Sequence, residues 1–189
     1  MNFTTERILS MFQISNILTA PPIEFQTPLQ KETYKALETL KIPFERVDTD
    51  EAITMEDCIL INEKLDMKMV KTLFLCNRKK TLFFIFVTCG DKPFNAGAFS
   101  KSMNCSRVSF APEELFLEML GTKIGAATVF SALKDLDGDI HIVIDHDVAS
   151  EEFYGCSDGT TTCYLKIKTA DIINKFLPYA KHKAHIIHI

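Results

Sequence analysis

The sequence predicts a single α+β domain with a mixed, mostly antiparallel β-sheet and helices packed on it. Apolar segments of strand length alternate irregularly with segments of helical period, which is typical of such mixed folds. Two pairs of apolar segments flank short turn sequences and predict β-hairpins. Hydrophobic residues make up 47% of the 189 positions, and 15 of them are Phe. The chain can therefore fill one substantial core.

The first part of the chain is predicted to lie outside this domain. Residues 1–28 form an N-terminal extension, and residues 29–189 form the domain. Residues 5–18 could form one amphipathic helix, and the prolines of the following stretch "TAPPIEFQTP" would end it. The apolar side of that helix would carry Ile8, Met11, Phe12 and Ile14.

The first half of the domain is predicted to contain two helices and three strands. In chain order these are a helix at 29–40, a strand at 42–49, a helix at 54–65 and hairpin strands at 69–76 and 81–88. Thr54 is a favourable N-cap for the second helix, with Asp57 at the capping-box position.

The second half is predicted to alternate short helices and strands. In chain order these are a helix at 95–103, a strand at 106–110, a helix at 112–120, a glycine-bearing loop leading into a strand at 121–133, a strand at 140–145, a polar loop at 155–162, a strand at 163–168, a helix at 170–177 and an extended tail at 184–189. Gly121 ends its helix, and Thr169 caps the final one. The "LDGD" turn at 136–139 predicts the second hairpin, with the strand at 140–145 as its return.

Charge and hydropathy limit the classes of partner. A net charge of −4 argues against strong non-specific binding of nucleic acid. Basic residues nevertheless cluster at Arg78, Lys79 and Lys80 and again across 166–183, as either a solvated face or a local patch for phosphates. No apolar run approaches the roughly 20 residues that span a bilayer, and no signal peptide is recognisable. We therefore expect a cytoplasmic protein without a membrane partner.

The cysteines and histidines predict neither a disulfide framework nor a metal site. None of the six cysteines forms a C-x-x-C pair, so reduced thiols are expected. His182, His185 and His188 would alternate faces in an extended segment, which is poor metal geometry. Rossmann, Walker, H-E-x-x-H and G-x-S-x-G motifs are absent. No metal or cofactor is predicted.

Several stretches, in order along the chain, carry a resemblance to a known family. From about residue 29 to the C-terminus the sequence resembles the YbaK/ProX family, the aminoacyl-tRNA deacylases associated with prolyl-tRNA synthetase, and within it the free-standing ProX (ProXp-ala-like) branch. The matching stretches are "EAITMEDC", "KTLFLCNRKKTLFF", "GDKPF", "CSRVSFAPEE", "GTKIGAATVF", "IVIDHDV" and "YGCSDGTTTCYLKIKTADI".

The resemblance implies a hydrolase that removes a wrong amino acid from the 3′-terminal adenosine of a tRNA. In the ProX branch the substrate is alanine mischarged on proline tRNA. The implied partner is tRNA and not DNA, with prolyl-tRNA synthetase as a further candidate. Two alternatives stay open: a non-catalytic relative that binds tRNA ends or a synthetase, and a deacylase for cysteine or serine esters.

The resemblance also assigns a catalytic lysine and a glycine loop. Lys71 matches the family lysine, whose ammonium would meet a phosphate or ribose group of the tRNA end. Gly121 and Gly125 match the G-x-x-P-G loop, where backbone groups would hold the substrate's amino group and the developing oxyanion. Ile124 stands where the family has Pro, which predicts a less rigid loop.

The remaining site residues follow from the same matches. Relatives carry a His-Pro pair and an Asn where this chain has Ser157, Asp158 and Thr161, so no histidine base is assigned. The pocket is expected between the Lys71 hairpin and residues 121–130, near Met69 and Ala127. The predicted substrate contacts are Ile124, Ala126, Thr128, Phe130, Ser157 and Asp158, and the predicted tRNA contacts are Arg78, Lys79 and Lys80.

Overall fold

The structure, a computed structural model, describes residues 12–52 and 55–189 and contains eight strands. The strands are β1 (Phe44–Asp48), β2 (Val70–Asn77), β3 (Phe83–Cys89), β4 (Val108–Phe110), β5 (Ile140–Asp145), β6 (Phe153–Ser157), β7 (Cys163–Lys168) and β8 (Ala184–Ile187). The helices are α1 (Pro28–Thr39), α2 (Met55–Leu65), α3 (Ala96–Ser102), α4 (Glu113–Leu115), α5 (His146–Ala149), α6 (Thr169–Asp171) and α7 (Leu177–Tyr179). Two π-helical segments (Phe116–Leu120 and Ile172–Phe176) and a 3₁₀ helix (Val129–Lys134) complete them. Within the described ranges, no helix combines the length and apolarity needed to cross a bilayer.

The strands form two sheets that meet at one point. The first has the order β1-β7-β6 and is antiparallel. The second has the order β4-β2-β3-β5-β8, with β3, β5 and β8 parallel and the β2 pairs antiparallel. A single parallel bridge between Met69 and Gly155 joins the two sheets. The predicted α+β class with a mixed sheet is confirmed.

The alternation of side chains along β2 separates two cores. Phe74 and Cys76 face the main core, which lies between the sheets and includes Phe130 and Leu165. Leu75 faces the second core, which lies on the opposite side of the same sheet and includes residues of β3 and α3. Side chains at odd and even positions of β2 therefore reach different surfaces of the protein.

The predicted N-terminal helix is wrong where the structure describes it. Residues 12–18 are extended and pair with the outer edge of β1, through antiparallel bridges at Ile14 and Leu18. The amide of Leu18 donates to the Arg46 carbonyl at 2.9 Å, and the Arg46 amide donates back at 2.8 Å. The open edge of β1 thus offers backbone partners that outweigh local helical periodicity. Residues 5–11 of the predicted helix lie outside the described residues, as does the predicted cap Thr54.

The predicted second hairpin is also wrong. Residues 129–134 form a 3₁₀ helix rather than a strand, and β5 pairs in parallel with β3. The Asp135 carboxylate accepts the amides of Asp139 (2.9 Å) and Ile140 (2.7 Å), so an Asx-type turn leads directly into β5.

Two smaller corrections concern the end of the chain. Part of the predicted polar loop is strand β6, which forms a hairpin with β7. The final helix has Lys168 rather than Thr169 at its N-cap. The remaining predicted helices and strands, including the extended tail, are confirmed with small shifts of their ends.

Candidate active site

The candidate site lies where β2 and β6 part. Beyond the bridge at Met69, residues 70–73 pair with β3 but have no strand on their other side in the part of the chain that is described. Pairing on that edge of β2 resumes at Phe74, whose carbonyl accepts the Ala111 amide at 2.9 Å. Residues 70–73 are half-buried, whereas the rest of β2 is buried. The gap exposes strand backbone next to the main core.

Gly155 permits the close approach that sets the position of this gap. A Cβ on Gly155 would lie 2.6 Å from the Met67 sulfur and 2.8 Å from the Lys68 carbonyl oxygen. Only glycine therefore lets β6 contact the chain that leads into β2. Ser157, two residues further along β6, lies across the gap from the start of β2, since the two strands run parallel at the bridge.

Lys71 lies at the gap, but its side chain takes a direction that the sequence does not predict. It shares a face of β2 with Leu73 and Leu75, the face of the second core. Its ammonium donates to the carbonyls of Lys92 (2.5 Å) and Gly90 (3.4 Å). The Lys71 side chain therefore leaves the sheet on the face opposite to residues 121–130. The expected pocket between the Lys71 hairpin and residues 121–130 stays a prediction.

The loop that holds Lys71 is itself anchored by charge. The Lys92 ammonium lies 2.8 Å from a carboxylate oxygen of Asp145 and 2.8 Å from one of Asp147. These hydrogen bonds raise the pKa of Lys92 to about 12. Asp145 is 1% exposed and also accepts the Thr88 hydroxyl at 2.8 Å. Sequence reasoning missed Lys92 and Asp145, although both lie in stretches that carry the family resemblance.

Within residues 121–130, an exposed turn is held at both ends by buried hydrogen bonds. The buried hydroxyl of Thr122 donates to the Gly159 carbonyl at 3.1 Å, and that of Thr128 donates to the Ser157 carbonyl at 2.8 Å. Between these anchors, residues 123–125 are exposed. Gly125 has φ of +90°, a conformation that favours glycine.

This turn presents free backbone donors. The Ala126 amide closes the turn by donating to the Lys123 carbonyl at 3.1 Å. The amides of Ile124 and Gly125 have no hydrogen-bond partner among the described residues. Two adjacent free amides on a turn that is anchored at both ends are suited to bind a carbonyl oxygen or an oxyanion.

Other predicted contacts are brought together beneath this turn, but most are buried. Ala126 is 1% exposed, and Phe130 is fully buried with its ring 4.9 Å from that of Phe176. The Ser157 hydroxyl lies 3.5 Å from the Ala126 carbonyl. Ile124 is exposed at the tip of the turn. Direct contacts of these four residues, and of Thr128, with a substrate stay predictions.

Asp158 is fully buried and its carboxylate already has four donors. One oxygen accepts a hydrogen bond from the side-chain amide of Gln30 at 2.7 Å and from the Tyr34 hydroxyl at 3.1 Å. The other accepts the Thr160 amide at 3.1 Å and its hydroxyl at 2.8 Å. Asp158 thereby ties α1 to the β6–β7 connection. Its predicted contact with substrate or water stays a prediction.

A cysteine nucleophile is not supported by the geometry. Cys76 and Cys156 are 3% and 2% exposed. Burial raises the pKa of both thiols, which keeps them protonated and unreactive.

The predicted RNA-binding cations lie far from Lys71. Arg78, Lys79 and Lys80 occupy the turn between β2 and β3, at the opposite end of β2. At about 3.3 Å per strand residue, some 20 Å separate this turn from Lys71. The structure therefore does not bring the two predicted groups together.

Comparison with known proteins places this architecture in a family. Residues 49–175 match the family model described as the aminoacyl-tRNA editing domain. The chain is 26% identical over 161 residues to "Prolyl-tRNA synthetase associated domain-containing protein 1" of Danio rerio, covering 84% of this chain and 86% of that protein. It is 24% identical over 145 residues to "Prolyl-tRNA editing protein ProX" of Acetoanaerobium sticklandii, covering 74% and 86%.

A solved structure shares the fold. A crystal structure described as a candidate trans-editing enzyme for prolyl-tRNA synthetase superposes with a TM-score of 0.63 at 15% identity, over 87% of this chain and 98% of that one. The matched segment of the family model contains the gap between β2 and β6, Lys71 and the exposed turn. The chain belongs to the aminoacyl-tRNA editing domain family and is an aminoacyl-tRNA deacylase.

Proposed function

We propose that this protein hydrolyses tRNA mischarged with a small amino acid, with alanine on proline tRNA as the first candidate. The gap between β2 and β6 is the observation that carries the proposal, because the half-buried Lys71 lies at one edge of it and the turn at 123–126 is attached to Ser157 at the other. The names of the relatives support proline tRNA and suggest prolyl-tRNA synthetase as a partner.

In this proposal, one group at the gap positions the substrate and two others stabilise the transition state of ester hydrolysis. Lys71 lies on the face of the sheet opposite to the turn, where its positive charge would meet the terminal phosphate or ribose on one side of the gap and so position the 3′ end. The free amides of Ile124 and Gly125 stabilise the oxyanion that forms when water attacks the ester carbonyl. The carbon–oxygen bond to the ribose then breaks, and the ribose oxygen takes a proton that derives from the attacking water. The products are the free amino acid and deacylated tRNA.

The reaction does not require an imidazole base in this mechanism. By the family resemblance, Ser157, Asp158 and Thr161 stand where many relatives carry a His-Pro pair and an Asn. The adenosine's own vicinal hydroxyl can activate the water, since an aminoacyl ester is already an activated bond. Positioning and oxyanion donors then account for much of the rate.

Selectivity for small side chains follows from the hydrogen bonds that fix both ends of the turn. Thr122 and Thr128 hold the turn against the β6–β7 connection, and Ala126 is already packed beneath it. A methyl group needs little space there, whereas a pyrrolidine ring would have to displace packed atoms, which is penalised steeply. Proline's secondary amine also has one proton fewer to donate.

We expect alanyl esters to be cleaved much faster than prolyl esters on the same tRNA. A single methylene gives a discrimination of about 10- to 200-fold, and overpacking of a rigid site adds to this. The measurement is release of labelled amino acid from proline tRNA charged with alanine, serine, cysteine or proline. Fastest release of serine or cysteine would reassign the substrate. Equal rates for alanine and proline would contradict size exclusion.

A further inference from the structure

A cleft at the far end of β2 plays no part in the proposed chemistry. It has a volume of about 520 Å³ and lies between the β2–β3 turn and β4. Its lining includes Asn77, Arg78 and Lys80 from the turn and Arg107, Phe110 and Pro112 from β4 and its flanks. Residues from two separate stretches of the chain thus form one concave surface.

The cleft is a cationic site in a protein of net negative charge. Arg78, Lys80 and Arg107 line it, and no acidic residue of the described part of the chain does. None of the three takes part in an ion pair within residues 12–52 and 55–189. Glu113 and Glu114 directly follow the lining residue Pro112 in sequence but do not line the cleft themselves. Three unpaired cations in one cleft favour an anionic ligand.

The cations stand on a rigid turn. The Asn77 side-chain carbonyl accepts the amides of Thr81 (2.9 Å) and Leu82 (3.2 Å), and its amide group donates to the Thr81 hydroxyl at 3.0 Å. The Lys80 amide donates to the Asn77 carbonyl at 3.0 Å. This bonding fixes the backbone that carries Arg78 and Lys80, so less ordering is needed when a ligand binds.

An exposed aromatic ring lies in the same cleft. Phe110 is 60% exposed although its strand pairs with β2, and its ring centroid is 5.6 Å from that of Phe94. One part of the ring is therefore supported while much of it is open to solvent. Cations beside an open aromatic ring are typical of sites for single-stranded nucleic acid, where phosphates meet the charges and a base stacks on the ring.

We propose that this cleft binds a single-stranded segment of RNA, with phosphates at Arg78, Lys80 and Arg107 and one unstacked base on Phe110. The proposal deepens the proposed function, because the strand would belong to the substrate RNA at about 20 Å from Lys71 along β2. It refines the sequence-based patch, since Lys79 does not line the cleft and Arg107 does. A duplex could meet the cations but would not offer a base to Phe110.

The charge contribution is tested with a labelled single-stranded RNA oligonucleotide, by anisotropy over a range of salt concentrations. In the triple variant Arg78→Gln, Lys80→Gln, Arg107→Gln, the log–log salt slope should flatten by about two units, at roughly 0.7 per phosphate contact. The control, Lys31→Gln, Lys35→Gln, Lys41→Gln, removes the same charge from and beside α1 and should retain the wild-type slope. An unchanged slope in the first variant, or equal loss in both, would overturn the proposal.

The stacking contribution is tested with Phe110→Ala. Binding of the single strand should weaken about tenfold with the salt slope unchanged, as expected for one lost base–aromatic stack. Leu117→Ala, which removes another exposed apolar side chain, is the matched control and should have no effect. Wild-type affinity in Phe110→Ala, or equal affinity of the wild type for an RNA duplex, would reject the single-strand assignment.

Deacylation assays separate this proposal from the proposed function. On full-length aminoacyl-tRNA the triple cleft variant should raise KM and leave kcat unchanged. On an aminoacylated adenosine, which is too short to reach the cleft, it should match the wild type. A wild-type protein without deacylase activity would contradict the proposed function, while the oligonucleotide measurements would still decide the cleft.

Discussion

Lys71→Ala is expected to remove most deacylation while the protein stays folded. The side chain is half-buried, and among the described residues its ammonium bonds only to the carbonyls of Gly90 and Lys92, which water can satisfy after its removal. Loss of one group that positions charge in a transition state costs about 10²- to 10³-fold in rate. The measurement is single-turnover release of alanine from mischarged tRNA, with thermal unfolding to verify the fold.

Two further variants make the Lys71 result specific. Lys71→Arg should restore little activity, because the planar guanidinium does not reproduce the compact ammonium between two carbonyls. Lys68→Ala removes an exposed lysine three positions earlier, which pairs with Glu151 at the surface, and should keep wild-type rates. Near wild-type turnover of Lys71→Ala at low substrate concentration would refute the assignment.

Asp158→Ala is expected to cause the largest loss of stability among the variants considered. The change leaves the Gln30 amide, the Tyr34 hydroxyl and the Thr160 groups without their buried acceptor. Each unsatisfied buried donor costs about 1–3 kcal/mol, so we expect the free energy of unfolding to fall by about 3 kcal/mol or more. Denaturant unfolding followed by circular dichroism measures this change.

A surface aspartate provides the comparison. Asp137 lies in the exposed turn before β5, and Asp137→Ala should change the free energy of unfolding by less than about 0.5 kcal/mol. If Asp158→Ala were as stable as Asp137→Ala, the hydrogen bonds to Asp158 would not be structural. Its predicted contact with substrate or water would then become the stronger interpretation.

Local patterns predicted those elements whose stability depends on their own residues. The helix at 28–39 has a threonine cap that accepts the Gln30 amide and an apolar stripe. The hairpin strands β2 and β3 are strongly apolar, and Gly121 ends its helical segment with φ of +66°. In each case the signal and the structure that it produces lie within a few residues of each other.

Elements that depend on distant partners were not predictable in this way. Residues 12–18 are extended because they pair with the open edge of β1. Strand β6 forms because it pairs with β7 and bridges to Met69. The site shows the same division. The resemblance supplies Lys71 and the glycine loop, but the direction of the Lys71 side chain follows from the alternation of β2.

Long-range pairing also explains the residues that the sequence interpretation missed. Lys92 and Asp145 meet across more than fifty positions, and Arg107 joins Arg78 only through the pairing of β4 with β2. A single sequence contains no local signal for such contacts. They emerge only when the strand order is known.

One edge strand of each sheet comes from outside the segment that the family model matches. That segment, residues 49–175, begins after β1 and ends before β8, and each of these strands forms one edge of its sheet. A fragment trimmed to the matched residues would keep Lys71 and the gap but leave β7 and the apolar β5 as unpaired edges. Unpaired edges of this kind recruit strands from other molecules. β1 and β8 thus cover the edges of β7 and β5, which would otherwise be open to pairing with strands of other molecules.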